Sequence, residues 1–101
     1  MPEPYEVDRT PHGTTLMVRG SLDINTAPAL AEEIDRIVGD RPAKVTVDLG
    51  GLDLIDSSGV AALVKLYKAI RGVGSTIRLI NARDQPLAIF KLLKMDKVFG
   101  L

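Results

Sequence analysis

The feature that most constrains this chain is a hydrophobic period that switches between two values along its length. Val45, Val47 and Leu49 recur at every second residue, the spacing of a strand with one buried face. Leu30, Ile34, Ile37 and Val38 before them, and Val60, Leu63, Val64, Tyr67 and Ile70 after them, follow the helical repeat instead. Strands that alternate with helices pair in parallel, because a parallel connection needs a crossover of a dozen or more residues. At 101 residues the chain suits one folding unit, 1–101, with a single core. The expected class is therefore α/β, a mostly parallel central sheet with helices packed against it.

The remaining segments fit that frame. The stretch YEVDRTPHGTTLMVRG reads as two short strands around a Pro11-His12-Gly13 turn, which makes the N-terminal strand antiparallel. The first helix carries Thr26 as N-cap, Pro28 in its first turn and Gly39 at its end. Gly50-Gly51 ends the Val45 strand in a turning loop, and Ser58 to Arg71 forms a helix buried over most of its circumference, stopped by Gly72 and Gly74. STIRLIN is a further strand and ARDQPLAIFKLLK a further helix capped by Asp84, with KVFGL as a closing short strand.

Composition excludes several functions. Thirteen basic and thirteen acidic side chains cancel, so no long-range positive field gathers nucleic acid or anionic lipid. Membrane and nucleic acid are thus not expected partners. No run approaches the roughly 20 apolar residues of a membrane span, and the first ten residues lack a basic, greasy signal, which points to a cytoplasmic protein. The absence of cysteine removes disulfides, thiolate metal sites and thiol catalysis.

Chemistry concentrates in Asp56-Ser57-Ser58-Gly59, beyond the carboxyl end of the central strand, where parallel sheets gather functional groups. A helix start leaves amide hydrogens unpaired and carries partial positive charge, so serine or aspartate there is first of all a cap. Only one hydroxyl can occupy the capping position. If Ser58 caps, Ser57 is left facing solvent as a phosphoryl acceptor at the positive end of a helix. Esterification would add about −1.5 to −2 charges beside Asp53 and Asp56, enough to repel a protein partner without moving the backbone.

Three stretches give the chain a family resemblance, and its two strongest parts are the upstream G-x-L-D-x-x-T-A element and the D-S-S-G helix start. LIDSSGVAALVKLYKAIRGVGSTIRLIN, with VRGSLDINTAPAL upstream and AIFKLLKMDKVF downstream, resembles the STAS domain of bacterial anti-sigma factor antagonists from about Tyr5 to Phe99. The resemblance implies partner switching. An unphosphorylated antagonist binds an anti-sigma factor that is also a serine kinase and so frees a sigma factor, phosphorylation reverses this, and a serine phosphatase restores the active form. It implies a regulator of transcription in a stress response rather than an enzyme, needing no cofactor, metal or small-molecule ligand. The acceptor position matches Ser57, and the acid of the upstream element matches Asp23, at the kinase contact surface. The expected partner-binding set is Asp23, Asp56, Ser58, Gly59, Val60 and Ala61, although Val60 also belongs to the apolar stripe and has equal reason to pack inward. The chain departs from the family at Lys94, where many relatives carry glycine, and at Leu101, where many continue into another helix.

Rival readings are weaker. A serine hydrolase needs a positioned base, but G-x-S-x-G is absent and the only imidazole, His12, sits in a turn. Neither phosphate-binding glycine motif occurs. Asp48, Asp53 and Asp56 could surround magnesium in principle, but without such glycines they read as a solvated rim. The runner-up within the same fold is a nonphosphorylated STAS scaffold or an accessory subunit of a transport ATPase.

Overall fold

Strand β3 (Lys44–Ile55) forms the axis of the molecule because its residues Val45, Val47, Leu49, Leu52 and Ile55 all turn one face inward. The computed structural model describes residues 4–101. Strands β1 (Tyr5–Thr10) and β2 (Gly13–Leu22) form the antiparallel hairpin, β2 and β3 pair in parallel, and β3 pairs in parallel with β4 (Thr76–Ile80), giving the order β1-β2-β3-β4. The helices are α1 (Ala27–Gly39), α2 (Ser57–Gly72), α3 (Asp84–Leu92) and α4 (Asp96–Phe99). The expected α/β class and the antiparallel N-terminal strand are both present.

The sheet carries its helices on one face. Leu16, Val18, Val45, Val47 and Leu79 are buried against them, while the alternate residues Thr15, Met17, Thr46 and Asp48 are only half-buried. The principal extents of 34 × 32 × 18 Å agree, since helix layers on both faces would need about 25 Å of thickness. Leu30, Ile34 and Ile37 of α1 and Leu63, Leu66 and Ile70 of α2 complete an aliphatic core. As expected, α2 is buried or half-buried over most of its circumference, and Ala61, Lys65 and Lys68 lie on its exposed stripe.

Two expectations change. Gly50-Gly51 does not end the central strand. The chain runs on to Ile55, and β2 follows it through register shifts between Met17 and Arg19 and between Gly20 and Ser21. The last segment is helix α4 rather than a strand, because Phe99 must reach the ring cluster: it lies 5.4 Å from Tyr67 and 5.5 Å from Phe90 in edge-on contacts. Period alone cannot separate helix from strand over five residues. On α3, Phe90 is buried, Leu87 and Ile89 are half-buried and Leu92 is exposed, as is Leu93 just beyond it.

Candidate functional site

Leu22 and Ile55 are register partners at the carboxyl ends of two parallel strands, and an aspartate follows each of them. Asp56 starts α2, and Asp23 starts the turn that leads into α1. Asp56 is the N-cap of α2: its Oδ1 accepts from the Gly59 N–H at 3.1 Å, and its own N–H donates to the Leu22 carbonyl at 3.2 Å. Its Oδ2 accepts from the Ile24 N–H at 3.3 Å, which ties the chain before α1 to the start of α2. Asp23 forms a reciprocal box, its Oδ1 accepting from the Thr26 N–H at 3.2 Å while Thr26 Oγ1 accepts from the Asp23 N–H at 2.9 Å.

The capping assignments are corrected accordingly. Asp56, not Ser58, caps α2, because a carboxylate has two oxygens and satisfies Gly59 and Ile24 together, which one hydroxyl cannot do. Thr26 is the N-cap residue of α1 as expected, but its hydroxyl makes no cap bond and donates instead to the Ser21 carbonyl at 2.8 Å. Asp84 is the first residue of α3 rather than its cap, and it pairs with Arg83.

Ser57 is the first residue of α2, exposed, and its hydroxyl makes no hydrogen bond among the described residues. Ser58, half-buried, has none either. Gly59 is buried where α2 comes closest to the sheet. A methyl group there would lie 2.5 Å from the Leu22 carbonyl oxygen and 2.7 Å from Ile55 Cγ1. Val60, which sequence left between contact and core, is in the core, whereas Ala61 is exposed. Ala61 and Ser58 line a shallow groove of about 330 Å³ between α1 and α2, opposite Ile24, Ala27 and Pro28. Ile24, 70% exposed, is the most exposed large apolar group beside the serines and was missed in the sequence, where an isolated isoleucine carries no signal.

Gln85 was missed as well. Its Oε1 accepts from the Ile55 N–H and its Nε2 donates to the Ile55 carbonyl, both at 2.9 Å, so a side-chain amide stands where a neighbouring strand would pair. Strand β4 pairs with β3 only as far as Asp48, which leaves this edge open beyond it. Arg83 covers another part of the same overhang, donating from Nε to the Gly50 carbonyl at 2.9 Å and pairing with Asp53 at 3.3 Å. The start of α3 thus holds the strand that presents Ser57. Because sequence ended β3 at Gly50-Gly51, no overhang was foreseen.

The acids considered around magnesium are each engaged with protein donors: Asp48 with the Gly50 N–H and Asn81, Asp53 with Arg83, and Asp56 with two backbone N–H groups. His12 is exposed in the β1–β2 turn at the far end of β2 from Leu22, about 30 Å from the serines by strand rise. It cannot serve either serine as a base. Among the described residues, no helix is long and apolar enough to cross a membrane.

A helix-fronted four-stranded sheet with an acid-capped helix start and a second aspartate turn beside it at one end is the architecture of a known class. The chain belongs to the STAS domain family, the family described as "Mlab, STAS domain" matching residues 5–101. Among similar proteins is the anti-sigma-F factor antagonist RsfB of Mycobacterium tuberculosis, 28% identical over 86 residues that span 85% of this chain and 70% of RsfB. The crystal structure of an anti-sigma factor antagonist from Mycobacterium paratuberculosis superposes with a TM-score of 0.82 at 24% identity, covering 96% of this chain and 82% of that one. The Bacillus cell fate determinant SpoIIAA in its phosphorylated form gives a TM-score of 0.75 at 16% identity, covering 92% and 86%.

Proposed function

We propose that this protein is an anti-sigma factor antagonist that switches partners through Ser57. The observation that carries the reading is a hydroxyl at the first position of α2 that is exposed and unbonded, because Asp56 has taken the cap. In the unphosphorylated state, the surface formed by Asp23, Ile24, Asp56, Ser57, Ser58 and Ala61 docks on an anti-sigma factor with serine kinase activity. The partner then releases its sigma factor. Phosphoryl transfer to Ser57 Oγ needs no base on this chain, since the kinase supplies nucleotide, metal and general base. The dianion formed sits at the amino end of α2, where the Ser57 and Ser58 N–H groups have no intrahelical acceptor, and beside Asp56. Further negative charge at a contact that already carries Asp23 and Asp56 displaces the partner by repulsion and desolvation. A serine phosphatase restores binding. The protein works in the cytoplasm as a regulator, not an enzyme. Relatives named as anti-sigma factor antagonists, one of them described in a phosphorylated form, support this reading.

The test is capture of the partner from host lysate, followed by ATP addition and mass mapping of the phosphate. Phosphate at Ser57 with release of the partner is expected, as is retention by Ser57→Ala and loss of binding by Ser57→Asp. Equal binding of both variants, with no phosphate on Ser57, would favour the nonphosphorylated scaffold.

A further inference from the structure

The two edges of the sheet are protected very differently. Strand β1 carries Glu6, Asp8 and Arg9 among its six residues, charges of the kind that discourage a further strand from pairing. Strand β4, Thr76-Ile77-Arg78-Leu79-Ile80, has a single charged residue, and its outer edge has no strand partner among the described residues. A groove of about 540 Å³ runs beside that edge, walled by Ile77, Leu87, Val98, Phe99 and Leu101. Val98 is 53% exposed despite this position. The charged side chains lining the groove are Arg78 and Lys97, both basic, and neither forms an ion pair among the described residues.

We propose that the outer edge of β4 and the groove beside it form a strand-addition site for an extended peptide that alternates apolar and acidic residues. The unpaired N–H and C=O groups of β4 supply main-chain hydrogen bonds, which are insensitive to sequence. Selectivity comes from the side chains, since a strand sends alternate residues to opposite faces. Apolar residues enter between Leu87 and Val98, and acidic residues meet Arg78 and Lys97. Five residues of β4 span about 17 Å, the reach of a peptide of five or six residues. The site lies on the strand next to β3, apart from Ser57, and does not depend on the phosphorylation reading.

The experiment titrates the isotope-labelled full chain with a synthetic Val-Glu-Val-Glu-Val-Glu peptide, followed by amide resonances. Saturable shifts centred on residues 76–82 and 97–101 are expected, with at least about tenfold weaker binding (roughly 1.4 kcal/mol) for the Val-Lys counterpart and for Arg78→Glu. A peptide N-methylated at alternate residues keeps its side chains but loses main-chain donors, and it should not bind, which tests the pairing without altering the protein. Absence of saturable shifts, equal binding of the lysine peptide, or shifts along β1 instead would overturn the proposal. So would concentration-dependent dimerisation moving the same β4 amides, which would assign the edge to a second copy.

Discussion

The side-chain amide of Gln85 closes both backbone groups of Ile55, accepting its N–H and donating to its carbonyl at 2.9 Å each. Ile55 is 4% exposed, so these groups have little access to water if the amide is removed. A buried unsatisfied backbone group costs about 1–3 kcal/mol. Gln85→Met keeps the length of the side chain and loses both bonds. It should destabilise by about 2 kcal/mol in urea unfolding and speed exchange of the Ile55 amide about tenfold or more. Unchanged protection at Ile55 would show that the clip does not restrain the strand leading into Ser57.

Gly59 and Gly72 lie on one helix with opposite demands. A methyl group on Gly59 meets backbone at 2.5 Å, and the Leu22 carbonyl cannot move without disturbing its bond to the Asp56 N–H. Gly59→Ala is therefore expected to cost about 2–3 kcal/mol by overpacking. Gly72 has nothing within 4 Å of such a methyl group, and its backbone is not left-handed. Gly72→Ala should gain about 0.5 kcal/mol by restricting the unfolded chain. Thermal melting of the two variants should move in opposite directions.

The capping pattern separates the acid from the hydroxyls. Asp56→Ala removes acceptors for Gly59 and Ile24 and should cost about 1–2 kcal/mol. Ser57→Ala and Ser58→Ala remove hydroxyls that make no hydrogen bond among the described residues, so each should stay within about 0.5 kcal/mol of the parent. A large loss at Ser58 in chemical denaturation would restore it as the cap.

What sequence conveyed follows from the range of the signals. The α/β order, the hairpin, and the burial of Leu30, Ile34, Ile37, Val45 and Val47 rest on local periodicity over several repeats, and all were legible. So was the position of Ser57 at a helix start. The identity of the cap was not, because Asp56, Ser57 and Ser58 are all good cap residues by local preference, and the second bond of Asp56, to Ile24 32 residues away in the chain, leaves no local signal. Gln85 was hidden for the same reason: its partner Ile55 is 30 residues distant, and the need for it arises from unequal lengths of β3 and β4. Helix α4 depends on the contact of Phe99 with Tyr67 and Phe90, which five residues of sequence cannot announce.

Lys94 adopts the left-handed conformation that favours glycine. Its φ is 58°, its N–H bonds the Lys91 carbonyl at 3.0 Å, and the Met95 N–H bonds the Phe90 carbonyl at 2.8 Å, which together make a left-handed helix stop. Gly74 closes α2 in the same way with φ of 82°. The turn after α3 is thus built as in a glycine-bearing chain, at a conformational cost of about 1–2 kcal/mol for a residue with a Cβ. Part of that gain is offset by the greater freedom of glycine when unfolded, so Lys94→Gly should stabilise by up to about 1 kcal/mol. That corresponds to a melting temperature higher by about 4–8 °C, and no rise would mean that the lysine side chain compensates through contacts.

Glu33 gives the fold an acid dependence of known sign. Its side chain is 7% exposed and bonds Arg9 at 2.8 Å through Oε1 and Arg36 at 2.7 Å through Oε2. Burial pushes the carboxyl up, but the hydrogen bonds from Arg36 and Arg9 outweigh it and hold the group below its ordinary value of 4.5. The unfolded chain therefore binds this proton more readily than the folded one. The contribution of Glu33 is complete above the unfolded value, about 1–2 kcal/mol for charged hydrogen bonds whose arginine partners remain partly solvated. It fades as the pH falls below about 4.5 and through the lower folded value. Glu33→Gln cannot titrate, so it should be less stable than the parent at neutral pH while losing less on acidification. The urea midpoints of the two proteins should converge as the pH is lowered, and midpoints that stay parallel would remove Glu33 as a source of the acid response.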